Sequence, residues 1–188
     1  ALDPAIEATA DISEATAGAG AVILAAPAQF LRSVMETLKE GLKPGVPIII
    51  CAKGIEQDTG ALMSEIAAEV LPETPVAVLS GPTFAAEVAR DLPAAVTLAT
   101  GDDALGIELS DALGTPRFRV YRSDDVIGAQ IGGAVKNVLA IGCGIAEGRG
   151  LGDNARAALI TRGLAEIVRL GLAKGGRAET LMGLCGIG

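Results

Sequence analysis

The sequence predicts an α/β protein: a parallel, doubly wound sheet followed by an all-helical unit. Three observations carry this. Short apolar runs alternate with segments of helical periodicity as far as Tyr121. Those runs are continuous rather than alternating, the pattern of strands buried on both faces. Beyond Tyr121 the strand-like runs stop, and long stretches of small and apolar residues replace them.

Residues 21–26 (AVILAA) read as the first buried strand. A helix over 30–42 follows, with Leu31, Val34, Leu38 and Leu42 on one stripe and Pro44-Gly45 ending it. Residues 47–52 (PIIICA) are a second strand. Residues 59–71 form a helix with Leu62, Ile66 and Val70 aligned, stopped by Pro72. Residues 76–80 (VAVLS) are a third strand; 95–100 and 118–121 are two more, with a helix over 103–113 between them. Residues 124–147 and 154–174 are long helices, the second carrying Ile160, Leu164, Ile167 and Gly171 on one stripe, and 177–184 begins a third. A boundary near 122–124 divides the chain into units 1–122 and 123–188.

Composition narrows the chemistry. The 188 residues are 50% hydrophobic, enough for a sizeable core and against disorder. The net charge is −8, and aromatic residues make up 2%, so clustered cations and stacking rings for nucleic acid are missing. There is no His, which excludes His–metal sites and Ser–His or Cys–His pairs. Acid–base work near neutral pH falls to Lys, Asp, Glu, Cys or Tyr with a shifted pKa. Cys51, Cys143 and Cys185 have neither CxxC nor zinc spacing and are expected to be small buried residues in a reducing compartment. No metal is expected. No run reaches the ~20 apolar residues of a membrane span. The chain starts at Ala1 without Met and without a basic leader, so it is expected to begin inside something longer or to be trimmed.

Ligands of doubly wound sheets sit at the carboxyl ends of strands, here residues 25–27, 51–54 and 80–83. Lys53 follows the second strand and precedes Gly54. It suits an anionic ligand, with a solvated loop lysine as the alternative. Ser80-Gly81-Pro82-Thr83-Phe84-Ala85 is a strand end, a turn and a helix start, where Thr83 can cap the helix from Ala85 and free N–H groups can bind phosphate. Lys136-Asn137 lies in a helix otherwise uncharged from Ile127 to Ala146. Such a helix is expected to be buried nearly all round, and burial lowers a lysine's pKa towards that of a general base. Arg162 and Glu166 form an i,i+4 surface pair with no chemistry assigned. Gly18-Ala19-Gly20 precedes a strand rather than following one, so it reads as a loop and not as a GxGxxG phosphate site.

CAKGIEQDTG (51–60), LSGPTFAAEVARDLP (79–93), the GGAVKNVLAIG segment within 118–148, NARAALITRGLAEIVRLG (154–171) and LMGLCGIG (181–188) together resemble the NAD(P)-dependent glycerol-3-phosphate dehydrogenases, the bacterial type especially. The resemblance implies part of a Rossmann-type dinucleotide domain and a helical domain of the 6-phosphogluconate-dehydrogenase-like kind. It implies interconversion of sn-glycerol 3-phosphate and dihydroxyacetone phosphate with NAD or NADP, in the cytoplasm, feeding glycerophospholipid synthesis. A small phosphorylated substrate and a homodimer are the implied partners. By position Lys136 matches the proton acceptor, and Lys53 the lysine reaching both cofactor and substrate. Gly81, Thr83 and Asn137 match substrate contacts, and Ala85 and Phe30 cofactor contacts. The family's glycine-rich loop, the Asp that follows the GxG ending at Gly188, and a later Ser-Arg-Asn type segment are not in this sequence. The expectation is a fragment that turns over little by itself. The rival readings are a related two-domain hydroxy-acid dehydrogenase and a non-catalytic binding remnant.

Overall fold

The computed structural model describes residues 5–188. Its elements run α1 (Ile12–Thr16), β1 (Val22–Leu24), a 3₁₀ turn (Ala28–Phe30), α2 (Leu31–Leu38), β2 (Ile48–Ile50), α3 (Met63–Val70), β3 (Val76–Ser80), α4 (Ala85–Val88), β4 (Ala94–Ala99), α5 (Asp103–Leu113), β5 (Phe118–Ser123), α6 (Val126–Gly148), α7 (Gly152–Ala173) and α8 (Ala178–Leu181). The expected elements are present, generally shorter at their ends. The helix placed at 30–42 ends at Leu38. Gly18 lies in a turn with φ +78, the loop expected of it.

The sheet has five strands in sequential order, and it is mixed rather than wholly parallel. β1, β2 and β3 are parallel, as are β4 and β5, but β4 runs antiparallel to β3, with Ser80 opposite Thr97. The segment between β3 and β4 contains only the four-residue α4. It reverses the chain beside β3 instead of crossing over the sheet, as a parallel connection would require.

Successive β2 residues serve opposite faces, as the pleat dictates. Ile48 and Ile50 pack with α2 and α3 through Leu31, Met35 and Ile66. Ile49 packs with Leu98, Leu105 and Leu109 on the α5 side. Burial on both faces does not extend to β1, where Ile23 is 53% exposed, because among the described residues no element covers that face of the outermost strand. A third cluster joins α6, α7 and α8 through Ile131, Ile167 and Leu181.

α6 is long and apolar enough to cross a membrane by length and composition, yet its first turns are packed within the fold, with Gly128 to Gly133 buried. It is not buried all round. Val138, Ile141 and Ile145 on its second half are 69%, 65% and 59% exposed. Its start is fixed by buried Asp125. One carboxylate oxygen accepts from Gly128 N–H at 2.8 Å, and the other accepts from Arg177 N–H, also at 2.8 Å. One side chain therefore caps α6 and ties down the entry to α8.

Candidate active site

The carboxyl ends of β2 and β3 lie side by side, and α6 passes over them. The closeness depends on Gly133: a Cβ there would stand 2.7 Å from Ser80 Oγ and 3.6 Å from Lys53 Cγ. One helical turn further on, Lys136 reaches the same region. Lys53 Nζ donates to the Gly81 carbonyl at 2.9 Å, and Lys136 Nζ donates to the Gly188 carbonyl at 2.7 Å. Gly188 in turn abuts Pro82, whose Cδ lies 3.1 Å from the position of a Cβ on Gly188. Gly81 has φ +154, and a Cβ there would lie 3.1 Å from Val96 Cα, so the turn needs glycine both for conformation and for space.

Lys53 hydrogen-bonds to a peptide carbonyl and Lys136 to the main-chain oxygen of Gly188, the last residue of this chain, and among the described residues neither lysine pairs with an Asp or Glu side chain. Partial burial, and then the neighbouring Lys53 charge, hold the Lys136 ammonium below the usual lysine range; Cys185 opposes the shift. An oxyanion placed beside this strand-end turn would meet two cationic groups, one of them with a lowered hold on its proton.

Lys136, but not Lys53, lines a cleft of ≈ 470 Å³ between α6 and α7, together with Asn137, Phe84 and Gly186 to Gly188. Leu139, Cys143, Ile160 and Leu164 give it an apolar wall. Thr83 does not cap α4. The cap position falls on Phe84, no side chain closes it, and Thr83 is half-buried in the turn before it. Ala85 is exposed in the first turn of α4. Phe30 is 63% exposed on the turn after β1 and does not line the cleft. Lys53, Gly81 and Lys136 are thus gathered at one place, Asn137 lines the cleft beside Lys136, and Phe30 stands apart. Of the cysteines only Cys185 is buried, so the expectation of three buried thiols holds for one. Desolvation pushes the half-buried Cys51 thiol up, against the pull of Lys53.

Two residues near the lysines had no signal in the sequence. Ser80 Oγ is buried without a hydrogen-bond partner among the described residues. Gln29 bonds the backbone beyond Lys53, and nothing in a lone Gln within a turn announces that. The same loop is held by Arg32, whose Nε and Nη2 both lie 2.8 Å from the Glu56 carboxylate. The bonds from Arg32, and then from Thr59, bring the Glu56 pKa from 4.5 down to about 2. A depressed carboxylate contributes stability above its unfolded value and loses it as pH falls through its folded value. A carboxyl NMR titration of Glu56 is expected to have its midpoint near 2 rather than near 4.5, and Arg32→Ala is expected to return it towards the ordinary range.

A mixed sheet whose β1–β3 strands are parallel, with cations at their carboxyl ends and long helices packed over them, defines an α/β protein of the Rossmann-like kind followed by a helical part. The comparisons narrow this. The family described as NAD-dependent glycerol-3-phosphate dehydrogenase matches with its N-terminal part over residues 1–105 and its C-terminal part over 125–188. The glycerol-3-phosphate dehydrogenase [NAD(P)+] of Paramagnetospirillum magneticum is 64% identical over 187 residues, covering 100% of this chain and 68% of the relative. That of Rhodospirillum rubrum is 64% identical over 188 residues, with 54% of the relative covered. The crystal structure of glycerol-3-phosphate dehydrogenase from Coxiella burnetii superposes with a TM-score of 0.90 at 42% identity, over 95% of this chain and 55% of that one. The Plasmodium falciparum glycerol-3-phosphate dehydrogenase gives 0.86 at 25% identity, over 94% of this chain and 50% of that one. The chain belongs to the NAD-dependent glycerol-3-phosphate dehydrogenase family. It spans between 54% and 68% of the length of these two relatives.

Proposed function

We propose that the gene product containing this chain interconverts sn-glycerol 3-phosphate and dihydroxyacetone phosphate by hydride transfer with NAD or NADP. The observation that supports this reading is the approach of Lys136 to Lys53, which bonds the Gly81 turn, with no Asp or Glu side chain paired with either among the described residues. In oxidation, neutral Lys136 takes the C2 hydroxyl proton onto Nζ while the C2 hydride leaves; in reduction the Lys136 ammonium returns that proton to the nascent alkoxide. Lys53 holds substrate phosphate or oxyanion charge and lies between substrate and cofactor. Asn137 orients a substrate oxygen from the cleft wall, and the backbone at Gly81 and Thr83 approaches the substrate closely. The dinucleotide, when bound, supplies the hydride acceptor and donor. The residues here fit one side of it: the exposed Phe30 ring offers a flat apolar face at a strand end, and Ala85 leaves room at the start of α4. The reading carries with it a cytoplasmic enzyme serving glycerophospholipid synthesis, acting as a homodimer, with units meeting near 122–123.

The test is the loss of reduced-nicotinamide absorbance by the purified gene product. Dihydroxyacetone phosphate is expected to be turned over and unphosphorylated dihydroxyacetone to be a far poorer substrate. Turnover of keto acids but not of dihydroxyacetone phosphate would overturn the reading.

A further inference from the structure

The loop that carries Lys53 lies beyond the β1–β2 ladder, and its far side makes one isolated antiparallel bridge, Ile55 to Leu62, with Glu56 N–H donating to Ala61 O at 2.9 Å. β1 and β2 stop pairing as a ladder at Leu24 and Ile50, with one further bond from Cys51 N–H to Leu24 O. Beyond that point Gln29 takes over. Its Nε2 donates to the Ile55 carbonyl at 2.8 Å, and its Oε1 accepts from Gln57 N–H at 3.0 Å. A carbonyl at one residue and an N–H two residues later is the pair of groups that a parallel strand engages on its neighbour. The Gln29 amide thus stands in for a missing strand residue beside Glu56. Contact between the two segments is tight next to Lys53 as well: a Cβ on Gly54 would come within 2.5 Å of Ala28 Cβ.

This makes the 28–30 turn and the 53–57 loop one mechanical piece. Phe30 is at one end of it and Lys53 at the other. Arg32, in the first turn of α2, reinforces the same joint through Glu56. We propose that Gln29 is a positioning residue for Lys53, coupling what lies against Phe30 to the lysine that holds the substrate anion. The proposal rests on the proposed function, in which Phe30 faces the dinucleotide and Lys53 the phosphorylated substrate. Gln29 itself touches neither.

The experiment compares the full gene product with its Gln29→Ala and Gln29→Glu variants. For each, KM for dihydroxyacetone phosphate and kcat are measured at saturating reduced cofactor, with amide hydrogen exchange over residues 53–57. Gln29→Ala is expected to raise KM about five- to tenfold, the scale of two exposed hydrogen bonds, with kcat changed much less. It is also expected to speed exchange at Gln57. Gln29→Glu keeps the acceptor for Gln57 N–H and loses the donor to Ile55, so it is expected to fall between the other two. An unchanged KM in Gln29→Ala, or exchange over 53–57 equal to wild type, would overturn the proposal. So would equal losses in KM and kcat for both variants, which mark general destabilisation. If wild type itself fails to turn over dihydroxyacetone phosphate, the functional reading fails and takes this one with it. Failure in the variants alone leaves that reading standing.

Discussion

Replacing Lys136 by Met in the full gene product is expected to lower kcat/KM by about 10²–10⁴-fold, the usual contribution of a positioned general base. Met keeps the apolar stem and removes only the nitrogen. That nitrogen makes one hydrogen bond, to Gly188, so the fold should persist; unchanged circular dichroism and a similar unfolding temperature are the control. The pH profile gives a sharper check. Because burial and Lys53 lower the Lys136 pKa, the neutral amine appears below the ordinary 10.5. Glycerol 3-phosphate oxidation should therefore rise with pH through that lowered value, and reduction, which needs the ammonium, should fall over the same range. Lys53→Met removes the neighbouring cation and should move both inflections upward. A profile without an inflection below the ordinary lysine range would remove Lys136 from the base role. The linkage has a definite sign. Between the lowered folded pKa and 10.5 the unfolded chain binds more protons, so stability rises with pH across that window.

Asp125→Ala is expected to cost about 2–4 kcal/mol of unfolding free energy, read from denaturant midpoints. The side chain is 6% exposed and accepts two backbone N–H bonds, from Gly128 and Arg177. Truncation strands both donors, at about 1–3 kcal/mol each where no water enters. The effect should be larger than loss of an ordinary surface cap, because the second bond fixes a different element. Asp125→Asn keeps one acceptor but turns an N–H₂ group towards the other donor, so it should fall between wild type and Ala. A loss below about 0.5 kcal/mol, within the range of an ordinary surface substitution, would show that α6 and α8 are held by packing alone.

The strands were legible where chemistry and punctuation agree. Val76–Ser80 is a β-branched, apolar run between Pro75 and Gly81, and the structure gives it those bounds. The reversal of β4 was not legible, since strand direction is set by how the connection packs and not by the strand's own residues. Helical periodicity located α6 but overstated its burial: Val138, Ile141 and Ile145 are as apolar as Ile131, and only tertiary neighbours separate them. At the site, Lys53 stood out by its place after a buried strand and before Gly54, and Lys136 as a lone cation in an apolar helix. Gln29 and Ser80 did not, because a single polar residue acquires meaning only from the backbone that another part of the chain brings to it. Thr83 shows the converse: a good capping residue in sequence, one position too early in space.

The reversed strand has a consequence for where the lysine can be. Because β4 and β5 run opposite to β3, they finish at the rim where β3 begins, and Thr100 Oγ1 there donates to Val76 O at 2.9 Å. α6 therefore sets out from the rim remote from Lys53 and must travel the depth of the sheet to bring Lys136 back. The ten steps from Val126 to Lys136 advance about 15 Å. The four steps of β3 advance about 13 Å, and the fifth, to Gly81, brings this to about 16 Å. Helix and strand act as matched rulers laid side by side. One residue inserted into the first turns of α6 would swing Lys136 about 100° around the helix axis and withdraw it from the turn at Gly81, with the helix itself intact.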